Sequence, residues 1–185
     1  DRQYIVKITH SGEPLIELQM QNAAMAHLAA KQQAVPQALN NSQGESITEL
    51  SGGSYLRVLT FLPGTFYADA AADNHNPDSW RSLGDFLGRF NLASADFDHP
   101  GAYRYLEWDL AQGYRVCQSK KHLLNGSQIQ LVDHFLTLYQ TQTLPVLGQL
   151  PQGGIHSDAN DYNVLVDSAE RPTTVTGLID FGDMV

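Results

Sequence analysis

Apolar residues recur along the chain with two different periods, which predicts a mixed α and β protein. Three segments carry apolar residues at helical spacing. They are residues 15–31, 80–91 and 127–142. Short β-branched or apolar runs bounded by turn residues predict strands. These runs occupy residues 4–8, 55–62, 163–166 and 174–179. The two later helices, including Leu131 and Phe135, are expected to pack in a core.

Two polar residues stand at the ends of the predicted hairpin strands, and a third lies in the loop that leads into them. Asn163 begins its first strand, Asp180 ends its second, and Asp158 lies five residues before Asn163. Antiparallel pairing brings Asn163 and Asp180 to the same end of the ribbon. Two oxygen ligands suit Mg²⁺, which keeps several waters and also takes phosphate oxygens. Asp158 is then within reach of a substrate hydroxyl, as its general base and orienter.

Residues 155–166 and 177–184 together resemble the aminoglycoside phosphotransferase and choline kinase family. Along its whole length the chain is most similar to the hydroxylysine-kinase-like branch, which includes phosphotransferase domains fused to class III aminotransferases. One position departs from the family pattern, since Ser157 stands where the family has Gly between His156 and Asp158. A side chain there makes the conformation of the loop backbone an open question.

The resemblance implies an α+β, protein-kinase-like fold with a small antiparallel β N-lobe and a mainly helical C-lobe. Residues 1–64 are expected to form part of the N-lobe and residues 65–185 part of the C-lobe. The residues present correspond to about the middle of a family domain, so we expect a fold that is truncated at both ends and has weak or no activity alone.

The resemblance also implies a phosphate-binding lysine and a partner for it. Lys7 lies on the apolar strand at residues 4–8, and Glu17 lies on the helix that follows. In the family, a glutamate from this helix steadies the lysine against the nucleotide phosphates. Glu17 is the first choice for that role and Glu13 the second.

The segment at residues 55–64 resembles the family's strand and hinge that receive the adenine ring, because it lies between the lysine strand and the catalytic loop. The strand is followed by Pro63-Gly64, which breaks regular structure. Backbone groups of Thr60, Phe61 and Leu62 would bind the base edge, because an extended chain offers unpaired amides and carbonyls. These residues alone are equally compatible with an ordinary strand and turn.

Composition narrows the classes of partner. The 185 residues include 20 acidic and 11 basic side chains, for a formal charge of -9. This charge argues against sequence-independent binding to nucleic acid and favours a cationic acceptor. No run approaches a membrane span or a signal peptide. The single cysteine excludes an intrachain disulfide, and with the use of a nucleoside triphosphate it favours a cytoplasmic location.

The seven histidines do not predict a zinc site. His75 and the others lack the His-x-x-x-His or Cys-x-x-Cys spacing that zinc sites use. His156 is different in role, because it resembles the family histidine that supports the catalytic loop by packing and hydrogen bonding.

The function predicted from the residues and the resemblance is a small-molecule kinase. It would transfer the γ-phosphoryl group of MgATP or MgGTP to a hydroxyl of an amino alcohol, a hydroxylated amino acid or an aminoglycoside. The alternative is a catalytically inactive pseudokinase-like module that binds nucleotides or partners. A protein kinase is less favoured because no Ala-Pro-Glu segment follows Asp180. The exposed sheet edge expected at residues 4–8 favours a homodimer.

Overall fold

A computed structural model describes residues 2–70 and 76–185, so His75 lies outside the described residues. The described residues form seven strands and five α-helices. The strands are β1 (Tyr4–Ile8), β2 (Ala38–Leu39), β3 (Thr48–Glu49), β4 (Tyr55–Thr60), β5 (Thr65–Phe66), β6 (Val164–Val166) and β7 (Val175–Leu178). The α-helices are α1 (Leu15–Ala30), α2 (Pro77–Ser94), α3 (Gly113–Lys120), α4 (Gly126–Leu138) and α5 (Leu144–Leu147). None of the helices described is long and apolar enough to cross a membrane.

The first sheet is built around β4, which pairs antiparallel with β1 on one side and with β2 and β3 on the other. The register with β1 places Lys7 opposite Arg57. Among the described strands, β1 pairs with β4 alone, and Val6 and Ile8 are exposed along it. The homodimer expected from this edge remains a prediction.

The second sheet has the order β5-β6-β7 and is antiparallel throughout. Its β6–β7 pair is the hairpin that the sequence predicts. Strand β6 is buried along its whole length, which suits its continuous apolar run. The main core lies between this sheet, α1 and α2. Its fully buried members include Met20, Leu28, Phe90, Val166 and Leu178.

Local signals set the helix boundaries. Helix α1 follows Pro14, whose fixed backbone suits an entry to a helix. Asn76 caps α2 by accepting hydrogen bonds from the amides of Asp78 and Ser79. Helix α1 confirms the predicted helix 15–31 almost to the residue, whereas α2 extends beyond the predicted 80–91 at both ends.

The chain divides into two compact units that differ from the two predicted lobes. One unit is Asp1–Tyr103 with Gly153–Val185, and the other is Arg104–Gln152. A boundary at residue 64 stays a prediction. The core predicted for helix 127–142 is wrong for most of its apolar side, because Leu131 and Phe135 are each 59% exposed and only Leu136 is buried in α4. A unit of this size encloses little volume, so a helix in it leaves much of its apolar side uncovered.

Gly101 explains why α1 lies close to the chain that follows α2. A Cβ at this position would stand 2.6 Å from the carbonyl oxygen of Ile16 and 2.8 Å from Cβ of Met20. His99 fixes the local turn by accepting a hydrogen bond from the amide of Gly101 through Nδ1 (3.0 Å). The absent side chain therefore sets the distance between this turn and α1.

We expect Gly101→Ala to lower the free energy of unfolding by about 1–3 kcal/mol, because the added methyl group must displace helix backbone. Gly88→Ala is the matched control. Gly88 is exposed within α2 and a Cβ there meets nothing within 4 Å, so the same change should raise stability by about 0.5–1 kcal/mol through helix propensity. Denaturant unfolding of both variants measures the difference, and equal effects would contradict this account of Gly101.

Candidate active site

One cavity of about 230 Å³ collects most of the residues predicted to bind a nucleotide. It lies in the unit formed by Asp1–Tyr103 and Gly153–Val185. The predicted residues in its wall are Lys7, Thr60, Phe61, Leu62 and Asp180. The rest of the wall is mainly apolar and consists of Ile5, Pro36, Leu59, Gly64, Phe66, Leu165 and Ile179. An apolar cleft with a few convergent polar groups is the usual form of a ligand site.

Lys7 and Asp180 form an ion pair at the polar end of this cavity. Lys7 Nζ donates to Asp180 Oδ1 at 3.0 Å, which joins β1 to the residue after β7. Burial would raise the pKa of Asp180, but the hydrogen bond and charge of Lys7, with a hydrogen bond from the amide of Gly182, hold that pKa below its usual range. Asp180 is therefore ionised at neutral pH and available to a cation.

Arg57 supports this end of the site from the interior, and sequence reasoning missed it. Its guanidinium is buried and donates to Gln21 Oε1 (2.7 Å), Asn22 Oδ1 (3.1 Å) and the carbonyl of Leu18 (3.5 Å). These three acceptors belong to α1, so Arg57 fastens the helix to β4 directly beside Lys7. Burial lowers the pKa of Arg57, whereas the charges of Glu13 and Asp180 raise it.

The two glutamates chosen as partners for Lys7 lie on either side of the start of α1. Glu17 is in the first turn of the helix and is partly buried, and Glu13 lies just before it. The structure joins Lys7 to Asp180, and a pairing of Lys7 with Glu17 stays a prediction.

One residue of the predicted base-binding segment already bonds to the neighbouring chain. The amide of Thr60 donates to the carbonyl of Gln37 (2.9 Å), and Thr60 Oγ1 accepts from the amide of Gln37 (2.9 Å). The amide of Thr60 is therefore occupied. The amides of Phe61 and Leu62 meet no acceptor within residues 2–70 and 76–185, and these two remain candidates for contact with a base.

Asp158 and Asn163 are joined directly. Asn163 Nδ2 donates to the backbone carbonyl of Asp158 and to its Oδ2, both at 2.8 Å. Since the amide nitrogen of Asn163 is committed to Asp158, its Oδ1 is the atom left to face a cation.

The hairpin places Asn163 and Asp180 at the same end of the second sheet, as the sequence predicts. Val164 pairs with Leu178, and the amide of Ile179 donates to the carbonyl of Asn163 at 2.9 Å. Across the described part of the chain, neither Asn163 Oδ1 nor Asp180 Oδ2 accepts a hydrogen bond. An amide oxygen and a carboxylate oxygen are hard ligands, so this donor set fits Mg²⁺.

His156 ties the Asp158 loop to the end of β7. It is buried, and its Nε2 lies 3.0 Å from the carbonyl of Ile179. Because a carbonyl only accepts, Nε2 carries the proton, and Nδ1 accepts from the amide of Asp158 at 3.3 Å. Burial lowers the pKa of His156, which keeps the ring neutral, and the ring meets Phe181 edge-on at 5.0 Å.

Ser157 occupies a backbone conformation that favours glycine. Its φ is +65°, in the left-handed region. The backbone thus answers the question raised by the departure from the family pattern, because Ser157 adopts a left-handed conformation with its side chain in place. A Cβ in this region costs about 1–2 kcal/mol.

We expect Ser157→Gly to raise the free energy of unfolding by about 1 kcal/mol, because it removes the Cβ from a left-handed residue. For a chain of this size, the melting temperature would rise by about 2–4 °C. Ser157→Ala is the matched control, since it removes the same hydroxyl and keeps the Cβ. Calorimetry that finds the Gly variant no more stable than the Ala variant would contradict the prediction.

Comparisons with known proteins identify the family of this chain and its fold. A family model described as a phosphotransferase enzyme family matches residues 1–185. Hydroxylysine kinase of Xenopus laevis is 26% identical to this chain over an alignment of 203 residues. The alignment covers 98% of this chain and 53% of that protein. The chain thus spans about half the length of this curated relative.

Solved structures show the same fold. Amicoumacin kinase hAmiN, in complex with AMP-PNP and Ca²⁺, matches with a TM-score of 0.69 at 20% identity, over 99% of this chain and 53% of that one. The GDP complex of aminoglycoside 2'-phosphotransferase-IIIa matches with a TM-score of 0.73 at 18% identity, over 98% of this chain and 61% of that one. The predicted α+β, protein-kinase-like fold is confirmed. The match of the family model along the whole chain means that the protein belongs to the phosphotransferase enzyme family.

Proposed function

We propose that this chain carries the phosphoryl-transfer site of a small-molecule kinase. The observation that carries the proposal is the meeting of Lys7 and Asp180 at 3.0 Å in the wall of a cavity that also includes Phe61 and Leu62. A nucleotide with its base at Phe61 and Leu62 would have its phosphates near this ion pair. Such a site places a lysine and a metal-binding carboxylate at the phosphates, as phosphotransferases require.

Each polar residue has one role in the proposed reaction. Lys7 binds the phosphates, and Glu17 positions Lys7. Asn163 Oδ1 and Asp180 Oδ2 would hold Mg²⁺. Bound there, Mg²⁺ would neutralise charge on the phosphate oxygens.

Asp158 receives the proton of the acceptor hydroxyl. The hydroxyl oxygen forms a bond to the γ-phosphorus, the bond from that phosphorus to the bridging oxygen breaks, and the nucleoside diphosphate leaves with the electron pair. The protein forms no covalent bond to the transferred group in this reaction. Positioning and charge stabilisation therefore supply most of the acceleration.

The acceptor is proposed to be a small hydroxyl compound that bears an amine. The formal charge of -9 favours a cation over an anion at long range. The similarity to a hydroxylysine kinase supports the same class. ATP and GTP both remain donors in this proposal, since structural neighbours were solved with AMP-PNP and with GDP. A cytoplasmic location and a fusion to an aminotransferase-type domain stay predictions.

The test is the release of nucleoside diphosphate by the complete protein, supplied with ATP or GTP and with hydroxylysine, ethanolamine or an aminoglycoside. We expect Asp158→Asn to lower kcat by about 10²-fold or more, because the general base is lost. Asp161→Asn is the matched control: it removes one negative charge from the same loop, and its side chain is exposed.

Asp161→Asn should leave kcat unchanged. A wild-type protein that releases diphosphate with neither nucleotide would contradict the proposed function and leave a nucleotide-binding pseudokinase as the alternative. Equal activities of the two variants would contradict the role of Asp158.

A further inference from the structure

Asn160 contacts the carboxylate of Asp158 from the side opposite Asn163. Its Nδ2 donates to Asp158 Oδ1 at 2.7 Å, while Asn163 Nδ2 donates to Oδ2 at 2.8 Å. Each oxygen of the carboxylate therefore receives one side-chain amide. These two bonds fix the plane of the carboxylate, and each oxygen keeps a further lone pair for an incoming hydroxyl.

The other end of the Asn160 side chain builds the turn that leads into β6. Asn160 Oδ1 accepts from the amides of Tyr162 (2.8 Å) and Asn163 (3.2 Å). The backbone carbonyl of Asn160 accepts from the amides of Asn163 and Val164, both at 3.0 Å. One side chain thus holds both the carboxylate of Asp158 and the backbone that carries Asn163.

Asn160 is exposed, so burial in a core does not account for its contacts. A turn of this kind needs only the acceptor oxygen, which Asp also supplies and Ser supplies more weakly. The amide nitrogen is not needed for the turn. Its bond of 2.7 Å to Asp158 is the part of the geometry that a purely structural role leaves unexplained.

We propose that Asn160 is a positioning residue for phosphoryl transfer, which holds the Asp158 carboxylate in the orientation that receives the acceptor proton. The inference rests on the proposed function, because it assigns Asp158 as the base. A carboxylate on an exposed loop rotates freely unless it is bonded, and a reacting hydroxyl requires its partner atom within about 3–3.5 Å and correctly aligned. Asn160 and Asn163 together prevent that rotation before the acceptor arrives, and Asn160 supplies the bond to Oδ1.

The test separates the two ends of the Asn160 side chain. Asn160→Ser keeps a turn-forming oxygen and removes the amide donor. In the complete protein, with the acceptor panel and nucleotides named above, we expect kcat to fall about tenfold or more while KM for the nucleotide changes less than twofold. Asn160→Asp keeps the size and the turn oxygen but places a second carboxylate against Asp158, so its kcat should fall further. Asp161→Asn again serves as the control that retains wild-type kcat.

A second measurement does not depend on turnover. The melting temperatures of Asn160→Ser, Asp158→Ala and the double variant form a cycle. If Asn160 is bonded to Asp158, the loss in the double variant is smaller than the sum of the two single losses. Additive losses, or an Asn160→Ser protein with kcat within twofold of wild type, would overturn the inference. An inactive wild type with non-additive losses would overturn the proposed function while the contact between the two side chains stands.

Discussion

The ion pair between Lys7 and Asp180 connects residues 173 positions apart, and the candidate site depends on it. Both side chains are partly exposed, at 34% and 49%, so the pair contributes little to stability. Its importance is positional. In the proposed complex, a phosphate of the nucleotide would take the place of Asp180 beside Lys7. A metal cation would take the place of Lys7 beside Asp180. The pair therefore holds two opposite charges in contact in the wall of the cavity.

Buried polar contacts hold the two ends of this pair in place. Arg57 fastens α1 to β4 beside Lys7, through three acceptors on the helix. His156 performs the corresponding task beside Asp180, because it joins the Asp158 loop to the carbonyl of Ile179. Removing either side chain would leave buried acceptors or donors unpaired, which costs more than the bonds themselves contribute. The site is thus held in place by two buried side chains that lie outside the cavity wall.

The sequence predicts the elements that local pattern specifies. Strand β1 and the β6–β7 hairpin have clear apolar runs and turns, and helix α1 has a helical composition between turn residues. The placement of Asn163 and Asp180 follows from the hairpin. Strands β2, β3 and β5 have two residues each, and their existence depends on the partner strand rather than on their own composition. Periodicity also shows that a helix has an apolar side but not that anything covers it, which is why the prediction for Leu131 and Phe135 was wrong.

Two site residues, Arg57 and Asn160, could not be found from the sequence alone, because their contacts appear only in the folded structure. Arg57 lies in an apolar strand, and an arginine on a strand is ordinarily exposed. In the structure it pairs opposite Lys7, and its side chain is buried against acceptors on α1. Asn160 has the composition of a turn residue, and its second contact, to Asp158, appears only when the loop is folded. The burial of Arg57 depends on long-range packing, whereas the contact of Asn160 depends on the conformation of its own loop.

The most direct test of the central claim is the thermal shift produced by ATP or GTP with and without Mg²⁺, in the wild type and in Asp180→Ala. At a nucleotide concentration near a hundred times Kd, binding adds about 2.7 kcal/mol, which corresponds to several degrees in Tm. The account predicts a magnesium-dependent shift in the wild type that is lost in Asp180→Ala and retained in Asp161→Asn. A shift that is equal with and without Mg²⁺, or that persists in Asp180→Ala, would contradict it.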